Sequence, residues 1–251
     1  MPHFGCLVPV AHRALLALAS IACALPAGAV TFSDATFNLA GYSIAGPTTS
    51  GANVTVEQCA ACGPGADAAL RIAAEYPTDV GNYRVALLNT AWVFDPSTQG
   101  QIVAIDAATD KRVLLSFNIA NGSGNSFRPL LQQGGQYYAA LLAGPTIFLA
   151  DEGWKFISGS GLTASSFTLY DFTTGTFGSG NPDFVAGGPM TFGLLQLGNR
   201  NGLFPSSTVE VDYDNLVLTI TSVPEPRSAA LLLAGLLAGL LAVSGLMRRR
   251  R

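Results

Sequence analysis

The sequence predicts an all-β fold, a single antiparallel β-sandwich, between Val30 and Ser222. Three observations predict it. Short apolar stretches recur between turn signals, few segments hold a sustained helical period, and this part of the chain is rich in Gly, Thr, Ser and aromatics but poor in Lys and Glu. About 190 residues suffice for one domain with a two-sheet core. No internal repeat is evident.

The expected strands, in order, are Val30–Asn38, Asn53–Glu57, Ala69–Tyr76, Tyr83–Phe94, Gln101–Ile105, Arg112–Ile119, Ser126–Gln132, Gln136–Leu142, Thr146–Ala150, Trp154–Ile157, Phe167–Asp171, Met190–Leu197 and Thr208–Thr221. Each is a short apolar stretch. Between them lie Asp95-Pro96, Asn121-Gly122, Gly134-Gly135 and Gly178–Pro182, residue types that set turns. The Ala-rich stretch Ala66–Ala74 is the one place where a helix competes.

The last strand, Thr208–Thr221, is the most informative. Its apolar residues are odd-numbered up to Tyr213 (Val209, Val211) and even-numbered after Asn215 (Leu216, Leu218, Ile220). A pleat of period two cannot bury both sets on one side, so a bulge or tight turn is expected at Asp214-Asn215. Glu210, Asp212 and Asp214 then share the face opposite the valines. Carboxylates so placed repel one another unless they are solvated or hold a cation, which leaves two readings: a Ca²⁺ site using Glu210, Asp212 and Asp214, or a plain acidic face. A third comes from likeness. Glu-Val-Asp-Tyr-Asp resembles the Glu-x-Asp-x-x-Glu strand of jelly-roll endoglucanases, in which two glutamates act as nucleophile and acid/base. Here the second glutamate is absent and Asp214 stands one place earlier.

Charge and residue usage exclude several chemistries. Between Val30 and Ser222 there are fifteen Asp/Glu against seven Lys/Arg, a net of −8. Such a surface repels nucleic acid and anionic lipid and suits metal cations or neutral glycans. Both histidines, His3 and His12, precede this stretch, so His-based triads, His-ligated zinc and His acid/base chemistry are excluded from it. Its two cysteines, Cys59 and Cys62, lack the further Cys/His ligands of a zinc site, and Gly63-Pro64-Gly65 continues as a loop rather than opening a helix. A small structural disulfide is expected of them in an oxidising compartment.

Both ends of the chain read as targeting. His12 and Arg13 precede the apolar run Ala14–Leu25, and Ala27-Gly28-Ala29 places small residues at −3 and −1 of a cleavage site, the form of a secretory signal peptide over 1–29. The other end, 223–251, has three parts: Val223-Pro224-Glu225-Pro226, an uncharged run from Ser228 to Met247, and Arg248, Arg249, Arg250 and Arg251. The prolines break the preceding strand. As a helix rising ~1.5 Å per residue the run would span about 30 Å, a bilayer's hydrocarbon thickness, with the arginines held on the cytoplasmic side. This tail closely resembles the PEP-CTERM sorting signal of exported Gram-negative bacterial proteins. The resemblance implies an exosortase as partner, an inner-membrane precursor, processing near the Pro-Glu-Pro and display at the cell surface or in the extracellular matrix. An ordinary anchor helix implies the same topology without the processing.

A softer resemblance covers the middle of the chain. Trp92–Asp106, Trp154–Phe167 and Asp212–Leu218 look like the jelly-roll ectodomains of PEP-CTERM proteins, which implies a jelly-roll or lectin-like sandwich. Trp92, Trp154, Tyr137 and Tyr138 are the aromatics that would stack on sugar rings. Trp92/Phe94 and Trp154/Phe156 each share a strand face, however, and aromatic burial favours the core for both pairs. The expected function is a non-enzymatic surface or matrix protein associated with exopolysaccharide or biofilm. The alternatives are a carbohydrate-binding module, and a jelly-roll glycoside hydrolase using Glu210, Asp212 and Asp214.

Overall fold

The structure is a computed structural model. It describes residues 28–78, 80–115, 123–142, 153–201 and 207–223, together with Gly235. The chain divides into a compact unit of Ala29–Ser222 and a second unit of Met1–Gly28 with Val223–Arg251, and nearly all of the second lies outside the described residues. That holds for Ala27, for Pro224, Glu225 and Pro226, for the run 228–247 and for the four terminal arginines. Among the described residues no helix is long and apolar enough to cross a membrane.

Ala29–Ser222 is an antiparallel β-sandwich, the predicted fold class. One sheet, A, has the order β3 (Asn53–Cys59), β4 (Ala69–Tyr76), β13 (Ser207–Val223), β6 (Gln101–Leu115), β9 (Lys155–Leu162), with β1 (Gly28–Asp34) also paired to β13. The other, B, has the order β11 (Thr176–Phe177), β10 (Phe167–Asp171), β8 (Gln136–Ala140), β7 (Ser123–Gln133), β12 (Met190–Asn201), β5 (Val80–Phe94), β2 (Tyr42–Ser50). Alternate residues of both sheets fill one core: Ile72 and Val211 from sheet A, for example, and Val85, Phe127 and Leu194 from sheet B.

Where strands differ from the expected ones, the cause is local. β2 was not anticipated because Gly46-Pro47 reads as a turn. It is an edge strand, paired only to β5 in sheet B, and its register shifts between Ala45 and Thr48, where a proline is tolerated. β6 is one strand rather than two. Its inward set includes Thr109 and Lys111, both fully buried, so polar residues interrupt the apolar alternation without interrupting the strand. Ala69–Tyr76 is strand, not helix. Asp95-Pro96 opens a short helix, α1 (Pro96–Gln99), with the Asp95 carboxylate accepting the Ser97 N–H at 3.0 Å. Asn121-Gly122 and Thr146–Ala150 lie outside the described residues.

β13 changes parity at Asp214-Asn215. Val209, Val211 and Tyr213 are buried before it and Leu216, Leu218 and Ile220 after it, while Asn215 takes φ 50 and turns outward. The expected bulge is there, and it lets one long strand present both apolar sets to the same core.

Candidate functional site

The acidic residues singled out from the sequence lie on β13, beside β4 and β6. Asp212 stands opposite Arg71 in the β4–β13 register. Its carboxylate is fully buried, yet it is not isolated: Arg71 Nε donates to it at 2.8 Å and Arg112 Nη2 at 2.5 Å. Arg71 also reaches Glu210 at 3.0 Å. The hydrogen bond to Asp212, with the fields of Asp212 and Glu210, raises the Arg71 pKa above its ordinary value against the opposing effect of burial. Arg112 continues the line, donating to the Cys62 carbonyl at 3.0 Å and lying 4.9 Å above the Trp154 ring. A row of alternating charge thus crosses the outer face of sheet A.

Asp214 stands apart from this row. Its carboxylate accepts the Asn215 N–H at 2.7 Å, and burial raises its pKa. The repulsion that suggested Ca²⁺ is therefore answered at Asp212 and Glu210 by guanidinium groups of the chain itself. Among the described residues no group of three or more His, Cys, Asp or Glu is gathered to hold a metal ion. Cys59 and Cys62 are disulfide-bonded, with Cα atoms 5.5 Å apart, and close the loop that presents the Cys62 carbonyl to Arg112.

The aromatic candidates divide. Trp92 and Phe94 are core residues, Trp92 stacking on Phe32 at 5.8 Å. Trp154 and Phe156 correct the expectation that they too are core. Phe156 is 71% exposed on β9 and Trp154 is half-buried beneath Arg112. The shared face of β9 is the outer one, while Ile157 points inward. Tyr138 faces the core, and Tyr137 lies on the outer face of sheet B against Phe172, at 5.8 Å.

That outer face of sheet B carries a feature with no counterpart among the residues picked from the sequence. The turn between β10 and β11 folds across it. Asp171 Oδ1 accepts the N–H groups of Thr173 at 2.8 Å and Thr174 at 3.2 Å, and the Thr174 hydroxyl hydrogen bond, with these backbone bonds, holds its pKa below the ordinary value. Phe172 in this turn packs on Tyr170 at 6.1 Å, over a small apolar patch that includes Leu88, Leu130 and Leu195. Arg84 of β5 ties the turn down by donating to the Thr173 carbonyl at 2.7 Å. Gly175 permits this contact. It sits at φ 74, and a Cβ there would lie 2.0 Å from Arg84 Nη1.

Beside the tethered turn opens a cleft of about 500 Å³, lined among others by Asn82, Arg84, Ser126, Arg128, Tyr170 and Asn199. The register explains how three strands build it. On β12, Leu197 stands opposite Arg84 of β5 and Ser126 of β7, Asn199 opposite Asn82 and Gly124, and Leu195 opposite Arg128. Arg128 lies 4.6 Å above the exposed Phe177 ring, and burial lowers its pKa. Arg84 Nε, Ser126 Oγ and Arg128 Nε are buried side-chain polar atoms that have no hydrogen-bond partner. Among the described residues only Trp154 Nε1 joins them, so three of four such atoms belong to residues that line this one cleft.

Tyr83 and Asn125 reach the cleft from beneath and belong to a buried polar network. Gln196 Nε2 donates to the Tyr83 hydroxyl at 3.1 Å, the Tyr213 hydroxyl donates to Gln196 Oε1, and Lys111 Nζ donates to the Asn125 carbonyl at 3.0 Å. Burial lowers the Lys111 pKa to about 7. This network fixes the floor under the cleft, since each member is held by at least one other.

Sequence reasoning passed over these residues because they are distributed over β5, β7 and β12. The alternation in Asn82-Tyr83-Arg84-Val85 and in Ser126-Phe127-Arg128 does put the polar members outward, but which strands adjoin cannot be read from alternation.

No protein-family model and no curated protein matches the chain. Among solved structures it is similar to a mannan-recognising carbohydrate-binding module, at 12% identity and TM-score 0.36 over 77% of this chain and 98% of that one. It is similar to carbohydrate-binding modules of the β-sandwich superfamily at 9% identity and TM-score 0.40, over 76% of this chain and 74% of that one. A third similar structure is the xylan-binding domain CBM22-1 of Paenibacillus barcinonensis Xyn10C, at 11% identity and TM-score 0.36 over 80% of this chain and 99% of that one.

Proposed function

We propose that this protein is an exported, surface-displayed carbohydrate-binding β-sandwich, sorted through a PEP-CTERM/exosortase route, whose binding face is the cleft on the outer side of sheet B. The observation that supports this reading is the cleft itself. It offers about 500 Å³, within the range of small-ligand sites, and its walls combine amide, hydroxyl and guanidinium groups with the apolar edges of Leu197 and Tyr170. Sugar rings present hydroxyls on their rims and C–H groups on their faces, and such walls match both. Binding rather than hydrolysis fits Glu210 and Asp212 of β13, which are engaged by arginines. The export half of the reading rests on the sequence of 1–29 and 223–251.

Affinity electrophoresis of the full chain through gels containing soluble polysaccharides tests the binding. Retardation by a glycan, reduced in Asn199→Ala and unchanged in Phe156→Ala, is expected. A second reading has one observation in its favour: the exposed Phe156 beside Trp154 forms an aromatic edge on sheet A. Loss of retardation in Phe156→Ala with no effect of Asn199→Ala would move the binding face there.

A further inference from the structure

We infer that the sheet B cleft selects an acidic saccharide, and that Arg84 and Arg128 receive the carboxylate of a uronic acid unit. This rests on the glycan-binding reading above and specifies its substrate class.

The first argument is placement. Arg84 and Arg128 stand on the two strands flanking β12, opposite Leu197 and Leu195. Two strand spacings across and one two-residue step along put their Cα atoms about 12 Å apart. Arginine side chains bridge most of that separation, so the two guanidinium groups frame a space of sugar size.

The second argument is how the two cations are held. The described ion pairs of the chain involve Arg71 and Arg112, not Arg84 or Arg128. Arg84 is positioned by the Thr173 and Thr174 carbonyls, at 2.7 and 3.5 Å, and Arg128 by the face of Phe177. Carbonyl dipoles and an aromatic face orient a guanidinium without neutralising it, so its charge remains for an incoming carboxylate. Asp171 is the carboxylate whose interaction with Arg84 is felt in this region. It is fully exposed, and its Oδ1 is already engaged by Thr173 and Thr174.

The third argument is the unpartnered set. Arg84 Nε, Ser126 Oγ and Arg128 Nε lie along the same wall, buried and without acceptor or donor. A small side-chain adjustment on binding would let these donors meet a ligand rich in acceptor oxygens, which a uronate is. The net charge of −8 over 30–222 does not oppose this at physiological salt. Screening confines the relevant field to about 8 Å, and within that distance the cleft has two guanidinium groups against the one carboxylate of Asp171.

The test separates charge from ring shape. Isothermal titration of the full chain in mild detergent compares tetragalacturonate with its methyl ester, the same rings with the carboxylates masked. The free acid is expected to bind at least tenfold more tightly. Arg84→Gln and Arg128→Gln should each remove most of that difference, the free acid losing several-fold more affinity than the ester. Equal affinity for acid and ester in the unaltered protein overturns the inference whether or not the variants fold. So does Arg-dependent binding of a sulfated glycan such as dextran sulfate without binding of the uronate. Binding of neutral mannan or xylan that ignores both arginine substitutions overturns it as well, and leaves the glycan-binding reading standing. No binding to acid, ester or neutral glycan overturns both.

Discussion

Asp212→Asn is the substitution on which the reading of β13 turns. The Asp212 carboxylate is fully buried and accepts from Arg71 Nε at 2.8 Å and Nη2 at 3.1 Å, and from Arg112 Nε at 3.1 Å and Nη2 at 2.5 Å. Asparagine keeps the shape but has one acceptor oxygen, and its NH₂ faces a cation. Arg71 retains Glu210 at 3.0 Å, whereas Arg112 keeps only the Cys62 carbonyl and the Trp154 ring among its described contacts. Removing one partner of a buried ion pair costs about 3–5 kcal/mol. The two guanidinium side chains are 19% and 22% exposed, so water recovers part of this, and a loss of about 3 kcal/mol is expected. Urea unfolding of the full chain in mild detergent, followed by tryptophan fluorescence, reads it, with Trp154 placed to report loosening at Arg112. A loss below about 1 kcal/mol would refute the reasoning, since it would mean that the carboxylate is in effect solvated.

Four further outcomes are expected. Because burial lowers the Lys111 pKa from 10.5 to about 7, between those values the unfolded chain holds a proton that the folded chain does not. Stability should therefore rise with pH from about 7 toward 10.5 and owe nothing to this group below 7, with a slope of at most about 1.4 kcal/mol per unit. Urea midpoints at pH 7 and 9 check this, and Lys111→Met should flatten the rise. Gly193→Ala should cost more than about 2 kcal/mol or prevent folding, because its Cβ would lie 1.8 Å from the Leu87 carbonyl oxygen, a backbone atom; a melting point within 2 °C of the unaltered protein would contradict the packing. Excess EDTA followed by millimolar Ca²⁺ should leave the melting midpoint unchanged, Glu210 and Asp212 being paired with arginines, and a rise on adding Ca²⁺ would favour a Ca²⁺ site on β13. Replacing Pro224 and Pro226 by alanine should block processing in an exosortase-bearing host, as seen by the size of the product on a gel, and normal maturation would reduce the tail to an anchor.

The sandwich was legible because most strands are half-buried, and half-burial writes itself as alternation. Asn53–Cys59, Ala69–Tyr76 and Phe167–Asp171 begin within a residue or two of where the pattern put them. The parity switch at Asp214-Asn215 was legible for the same reason, since two apolar sets of opposite phase admit few geometries. Legibility failed where burial and polarity part company. Lys111 and Thr109 point into the core, so β6 looked like two strands. Gly46-Pro47 sits in an edge strand whose missing N–H no neighbour requires, so β2 looked like a loop. Trp154 and Phe156 share a face as expected, but hydrophobicity alone does not say which sheet neighbour lies behind them. Arg112 does, and it stands more than forty residues earlier in the chain.

The same limit explains why the acidic strand drew attention and the cleft did not. Glu210, Asp212 and Asp214 lie within five residues and announce themselves as a cluster, whereas the arginines that answer two of them come from β4 and β6. Clustering in sequence measures local charge, while function depends on charge left over after folding. On sheet A the pairing is internal: Arg71 and Arg112 close on Asp212, and the face gains stability without gaining an open donor. On sheet B the two arginines arrive on different strands, meet no carboxylate among the described residues and are oriented by carbonyls and a ring. The contrast between the two faces follows from one rule. A guanidinium locked to a carboxylate serves the fold, and one held in place without being neutralised is available to a ligand.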